Sequence, residues 1–164
     1  MSAQLDRPQG LLTSWRYHPK MNHSRVDVRS FEVSAIAVDI EGNESACSAA
    51  MEVQVDAMRP ATKLIRPANN FDFVGQVRIV GTTNDNCGVA QVQLTLRDMT
   101  SRLYWNGTNW SASQYMISIK LAPKTGRWHY FPPLSKGRYC VWARAVDQVG
   151  NVEASPASAA FSLR

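Results

Sequence analysis

Apolar and polar residues alternate along most of this chain, in short runs. Phe31, Val33, Ala35 and Ala37 share one parity, as do Tyr139, Val141, Ala143 and Ala145. Successive side chains of a strand point to opposite faces, so each run predicts a strand with one apolar face. Val92, Leu94 and Leu96 alternate in the same way with Gln91, Gln93, Thr95 and Arg97. Strands are predicted over 62–66, 76–82, 89–97, 103–110, 116–121, 127–131, 139–146 and 157–163. Asn106-Gly107 is a strong hairpin signal within its run. Turn-rich segments such as 83–88 separate the runs, and no stretch carries a helical period. About eight short strands at regular spacing predict an all-β sandwich.

Two of the runs are copies. Phe31–Asn43 and Tyr139–Asn151 share the ungapped frame aromatic-x-Val-x-Ala-x-Ala-Val-Asp-x-x-Gly-Asn. Its Asp-x-x-Gly-Asn end is turn chemistry, because Asp bonds its own backbone and Gly and Asn tolerate positive φ. Trp15-Arg-Tyr17-His-Pro19 likewise matches Trp128-His-Tyr130-Phe-Pro132. A return strand is expected over 48–55, parallel in role to 157–163. Residues 1–56 therefore read as the C-terminal part of a truncated copy, and residues 57–164 as a complete one, joined by the short linker Asp56–Pro60. The first part offers about three strands and no second sheet, too few to bury an apolar face. The polar stretch 18–24 is expected to be loop-like, and residues 1–10 to be ill-ordered or foreign to the array. Leu134-x-x-Gly137-x-Tyr139 has the spacing of a tyrosine corner.

The order of four motifs resembles the tandem immunoglobulin-like repeats of bacterial extracellular and surface proteins, which are similar in look to fibronectin type III modules. They are Gly81-Thr-Thr-Asn-Asp85-Asn-x-Gly88-Val89, Tyr104-Trp105-Asn106-Gly107-x-x-Trp110, Gly137-x-Tyr139 and Ala145-Val-Asp147-x-x-Gly150-Asn151. The resemblance covers 57–164 in full and about 11–56 in part. It implies an immunoglobulin-like antiparallel β-sandwich preceded by a partial copy. It also implies a non-catalytic spacer or adhesive module of a larger secreted or cell-surface protein, with neighbouring repeats as partners and a protein or carbohydrate at a surface as a further one. A signal sequence would then lie upstream.

Composition changes this picture little. The chain has 164 residues, 45% of them hydrophobic, which suits a folded domain rather than disorder. No apolar run approaches the ~18 residues that would mark a membrane helix. Net charge is uneven: residues 1–56 hold five Lys/Arg and eight Asp/Glu, hence −3, and residues 57–164 hold thirteen and five, hence +8. Cys47, Cys87 and Cys140 allow either one bridge and a free thiol or three free thiols, and no spacing suggests zinc. Cys140 falls on the strand face opposite Tyr139 and Val141, unlike the core cysteine of an antibody domain. Four Asn-x-Ser/Thr sequons begin at Asn22, Asn43, Asn106 and Asn109, as a Ser- and Asn-rich chain produces by chance.

Catalytic signatures are missing: there is no Gly-x-Ser-x-Gly, His-Glu-x-x-His, phosphate loop or dinucleotide fingerprint. Three candidate binding sites stand instead, each against a plainer reading: turn capping, ring packing, and a solvated face or protein contact. In a sandwich of this topology the loop 83–88, the last hairpin turn and the chain entry share one end. That brings Asp85, Asn84 and Asn86 towards Asp147, Asn151 and Asp56, an oxygen-rich set suited to calcium; Asp/Asn turn capping without a metal is the plainer alternative. Tyr104, Trp105 and Trp110 flank a hairpin and could stack on sugar rings, unless they fold onto the sandwich edge. Arg97, Arg138, Trp142 and Arg144 share an outward parity with Gln91 and Gln93 and suit an anionic surface. Too few cations lie in that plane for nucleic acid.

Overall fold

The computed structural model of the chain describes residues 4–5, 15–16, 29–122 and 125–164. His18, His23, the polar stretch 18–24, most of 1–10 and the sequon at Asn22 lie outside them. Among the described residues there is no helix, and the strands mostly follow the predicted alternation. They are β1 (Gln4–Leu5), β2 (Trp15–Arg16), β3 (Arg29–Val33), β4 (Met51–Val55), β5 (Ala61–Arg66), β6 (Phe71–Phe73) and β7 (Ile79–Asn84). After these come β8 (Val89–Asp98), β9 (Tyr104–Trp105), β10 (Trp110–Ser111), β11 (Ile117–Ile119), β12 (Arg127–Tyr130), β13 (Gly137–Asp147) and β14 (Ala157–Leu163). β1, within the stretch 1–10, and β6 lie outside the predicted set.

Residues 61–164 build two packed sheets. The larger runs β10-β9-β8-β13-β14-β6, with β11 also paired to β8, and the smaller runs β12-β7-β5. The long strands β8 and β13 pair antiparallel, setting Trp142 beside Thr95 and Arg144 beside Gln93. Their inward rail is apolar: Val92, Leu94 and Leu96 meet Val141, Ala143 and Phe161 across the core from Ile79 and Trp128. Trp128 packs so closely over Gly81 that a Cβ there would overlap its indole ring. Alternation is legible here because one face of each strand is buried and the other solvated. β6 is a three-residue edge strand that pairs parallel with β14, and its short run carries no alternation signal. The Tyr139 hydroxyl donates to the Ser135 carbonyl at 2.8 Å, closing the predicted corner. All three cysteines are free.

The copied segments fold in the same register. Phe31 pairs with Val53, and Tyr139 with Phe161, each member 108 residues from its counterpart. The isolated bridges Val38↔Glu44 and Val146↔Val152 repeat the same offset. Gly42 and Gly150 both adopt the left-handed backbone their turn needs, at φ 90° and 98°. The Asp carboxylate does the same work twice. Asp39 Oδ1 accepts from the Glu41 and Asn43 amides and Oδ2 from Asn43 Nδ2. Asp147 Oδ1 accepts from the Val149 and Asn151 amides and Oδ2 from Asn151 Nδ2. Surroundings differ. The rail of the second copy is core, whereas Phe31, Val33, Ile36 and Val38 of the first are exposed. β3 and β4 form a two-stranded sheet of their own.

Candidate metal centre

Three chain segments meet at the end of the sandwich where the linker enters. β5 begins there, paired through Ala61 to Asn84 at the end of β7. β13 ends there, and its last residue, Asp147, occupies an inward position on the otherwise apolar rail. The linker delivers Asp56, and the turn after β7 delivers Asp85. One carboxylate oxygen from each of Asp56, Asp85 and Asp147 lies within 4.8 Å of the others. No Lys or Arg pairs with any of them among the described residues.

Burial makes this arrangement costly. Asp147 is 2% exposed and Asp56 9%. Asp147 is satisfied by its own turn, as described above. The other two are not. Asp56 Oδ1 accepts from the Met58 amide at 2.9 Å and from Asn86 Nδ2 at 3.4 Å, but Asp56 Oδ2 is buried with no donor. Asp85 Oδ2 accepts from the Cys87 amide at 2.8 Å, but Asp85 Oδ1 is buried with no donor. Burial, followed by the charges of Asp56 and Asp147, pushes the Asp85 carboxyl above its ordinary range. Burial, followed by a hydrogen bond to Asp56 and the charges of the three acids, pushes the Cys87 thiol up.

Turn capping accounts for part of this cluster and leaves the rest. Asp39 makes the whole Asp–Asn clasp while fully exposed, so the clasp around Asp147 needs no ion. Capping gives no reason for two dry, unpartnered oxygens on Asp56 and Asp85. A buried carboxylate oxygen left without a donor costs about 1–3 kcal/mol unless a cation or a proton compensates it. The donor set is all oxygen, which suits a hard divalent cation such as Ca²⁺ rather than zinc.

The expected amides take a different part. Asn151 Nδ2 donates to Asp147 Oδ2 at 2.8 Å and to the Asp56 carbonyl at 3.0 Å, tying the turn to the linker. Asn86 also turns its NH₂ to Asp56. Both brace the cluster through their amide nitrogens. Asn84 is exposed. A residue that sequence reading missed completes the junction: Glu153 accepts from the Thr62 amide with Oε1 and from the Ala145 amide with Oε2. Its counterpart in the first copy is Ser45, whose hydroxyl accepts from the Ala37 amide. The shared role emerges only when the copies are laid in register.

The hairpin aromatics correct the expectation of a sugar platform there. Trp105 is 6% exposed and donates its indole N–H to the Tyr130 hydroxyl at 2.8 Å. Trp110 stacks on Tyr139 with centroids 6.0 Å apart. Large apolar rings next to a core are more stable covered than wet, so Trp105 is covered and the half-buried Trp110 packs against Tyr139. Tyr104 alone of the three looks outward, with the Arg97 guanidinium over its ring at 5.2 Å.

The four outward residues do not make one basic surface. Arg97 is drawn onto Tyr104 and the Arg102 carbonyl. Arg138 borders a different depression, with Asn70 and Asp72. Trp142 and Arg144 line a groove farther along the strand.

No protein-family model matches the chain, and no curated protein matches it in sequence. Solved structures do. The fibronectin(III)-like modules of Clostridium thermocellum CbhA align with a TM-score of 0.51 at 21% identity, over 85% of this chain and 64% of theirs. This chain thus spans about two thirds of that structure's length. CopC from Methylosinus trichosporium OB3b aligns at 0.42 and 15% identity, over 63% of this chain and 93% of its own. Domains d3-d4 of the rat CD45 extracellular region align at 0.34 and 14% identity, over 98% and 94%. The chain has an all-β sandwich fold, similar to that of fibronectin(III)-like modules.

Proposed function

We propose that this chain is a non-catalytic spacer from an array of such sandwiches in a secreted or cell-surface protein, and that Ca²⁺ held by Asp56, Asp85 and Asp147 clamps the linker to the sandwich. The observation that carries the reading is the pair of buried carboxylate oxygens without donors, Asp56 Oδ2 and Asp85 Oδ1. The array is supported by the 108-residue offset that preserves strand register, turn and Asp–Asn clasp. The spacer role is supported by a linker of few residues, stiffened by the buried Pro60. A site of three carboxylates in an extracellular module binds calcium with Kd on the order of 10⁻⁴–10⁻³ M, matched to calcium outside cells.

A cation there would hold together residues that are far apart in sequence: linker, β7–β8 turn and β13 end. Binding to the native state alone adds stability of about 2.7 kcal/mol at a hundredfold excess over Kd. The test is a thermal melt of the chain in EDTA and in millimolar calcium, beside Asp56→Ala. A rise of several degrees in the parent that the variant lacks supports the clamp. Equal melting in both buffers rejects it.

A further inference from the structure

The outer face of the larger sheet is not flat. Thr95 and Gln93 of β8 with Trp142 and Arg144 of β13 form the floor of a groove of about 470 Å³. The segment between β10 and β11 rises beside it, held by Thr95 Oγ1 donating to the Tyr115 carbonyl at 3.3 Å. Gln114 and Met116 of that segment make one wall, and Tyr104 and Pro156 close the rest. The size falls in the range of small-ligand sites, roughly 300–1,000 Å³.

Its chemistry is specific. Trp142 and Tyr104 are half-buried and line the groove, and the Arg97 guanidinium lies over one face of Tyr104. Amide groups of Gln93 and Gln114 supply both donors and acceptors. Arg144 is the single charged residue in the lining, and no carboxylate pairs with it among the described residues. Its guanidinium is held in place: Nε donates to Gln93 Oε1 at 2.8 Å and Nη2 reaches Met116 Sδ at 3.0 Å. A fixed guanidinium without a counter-ion is a carboxylate receptor. Flat rings beside it suit the C–H faces of pyranoses, and the amides suit hydroxyls. One cation is too few for a polyphosphate backbone, and the polar floor is wrong for an apolar peptide.

We propose that this groove binds an acidic oligosaccharide, with a uronate carboxylate on Arg144 and sugar rings against Trp142 and Tyr104. The site is separate from the carboxylate cluster and needs no metal. The residues come from both surfaces considered in the sequence, the aromatic hairpin and the basic face, which the β8–β13 register and the loop at 112–116 bring together.

The test titrates tetragalacturonate into the chain in EDTA, followed by tryptophan fluorescence and calorimetry, with the methyl-esterified tetramer as the neutral control. Saturable binding of the acid is expected, with the ester much weaker. Trp142→Ala should abolish it. Arg144→Gln should weaken it roughly ten- to a hundredfold, as loss of one hydrogen bond to a charged group does. Melting curves accompany both variants; if Trp142→Ala does not fold, Arg144→Gln on the solvent face decides. No binding at low-millimolar acid overturns the proposal, as does equal binding of the ester or an affinity unchanged by Arg144→Gln. EDTA keeps this outcome independent of the calcium reading.

Discussion

Replacing Asp85 by Asn gives the carboxylate cluster its sharpest test, because the predicted sign depends on the buffer. Asn keeps the shape and an oxygen to accept the Cys87 amide, so the turn survives. It removes one of three charges whose oxygens lie within 4.8 Å of one another. At that separation each like-charge pair costs about 1 kcal/mol in water-like surroundings and about 3–4 kcal/mol at an effective dielectric of 20. Asp85 is only partly buried, so the lower figure applies, and relief from two neighbours comes to about 2 kcal/mol. In EDTA the variant should melt higher than the parent by several degrees, since about 1 kcal/mol moves a domain of ~100 residues by 4–8 °C. In saturating calcium the order should invert. The parent gains the binding energy, and the variant has lost a ligand. Differential scanning calorimetry in the two buffers reads both arms. A variant less stable than the parent in EDTA would show that Asp85 is a turn cap and nothing more.

Other outcomes follow from the same structure. The raised Asp85 carboxyl binds protons more readily folded than unfolded, so its contribution is complete below the ordinary carboxylate range and is lost as pH rises through the folded value. Metal-free protein should therefore gain stability from this group on mild acidification, whereas the calcium-dependent rise should shrink; melts from neutral to weakly acidic pH in EDTA and in calcium check both. Tyr139→Phe deletes the bond to the Ser135 carbonyl and should cost about 1 kcal/mol by denaturant titration. Gly81→Ala drives a methyl into the Trp128 ring and the Lys63 carbonyl and should cost roughly 1–3 kcal/mol or more, read as lost soluble yield or a lowered midpoint. Thiol titration should find Cys47 reactive at once, with Cys87 and Cys140 slow until the chain is denatured, since burial pushes both thiols up.

Much of the fold was legible because strands with one wet face write their orientation into the sequence. The β8 and β13 rails and the Tyr139 corner are such cases. β6 was not, since three residues at a parallel edge carry no alternation. Asp56, Asp85 and Asp147 could be placed at one end from topology alone, because loops after β7 and β13 and the entry to β5 must lie together. What their oxygens touch could not be read, nor that Asn86 and Asn151 would face the cluster with their nitrogens. Trp105 and Trp110 were ambiguous because a hairpin can lie open or fold back. The competition was decided by the Tyr130 hydroxyl and the Tyr139 ring, both distant in sequence. The groove escaped notice because its wall comes from the irregular segment 112–116, where no period places a side chain.

Asp56, Asp85 and Asp147 are proposed to form a calcium site that joins linker to sandwich. Calorimetric titration of calcium into EDTA-stripped and dialysed protein, parent beside Asp56→Ala, tests it most directly. One saturable site is expected in the parent, with Kd on the order of 10⁻⁴–10⁻³ M, and none in the variant. No saturable heat in the parent, or the same site in Asp56→Ala, would contradict it.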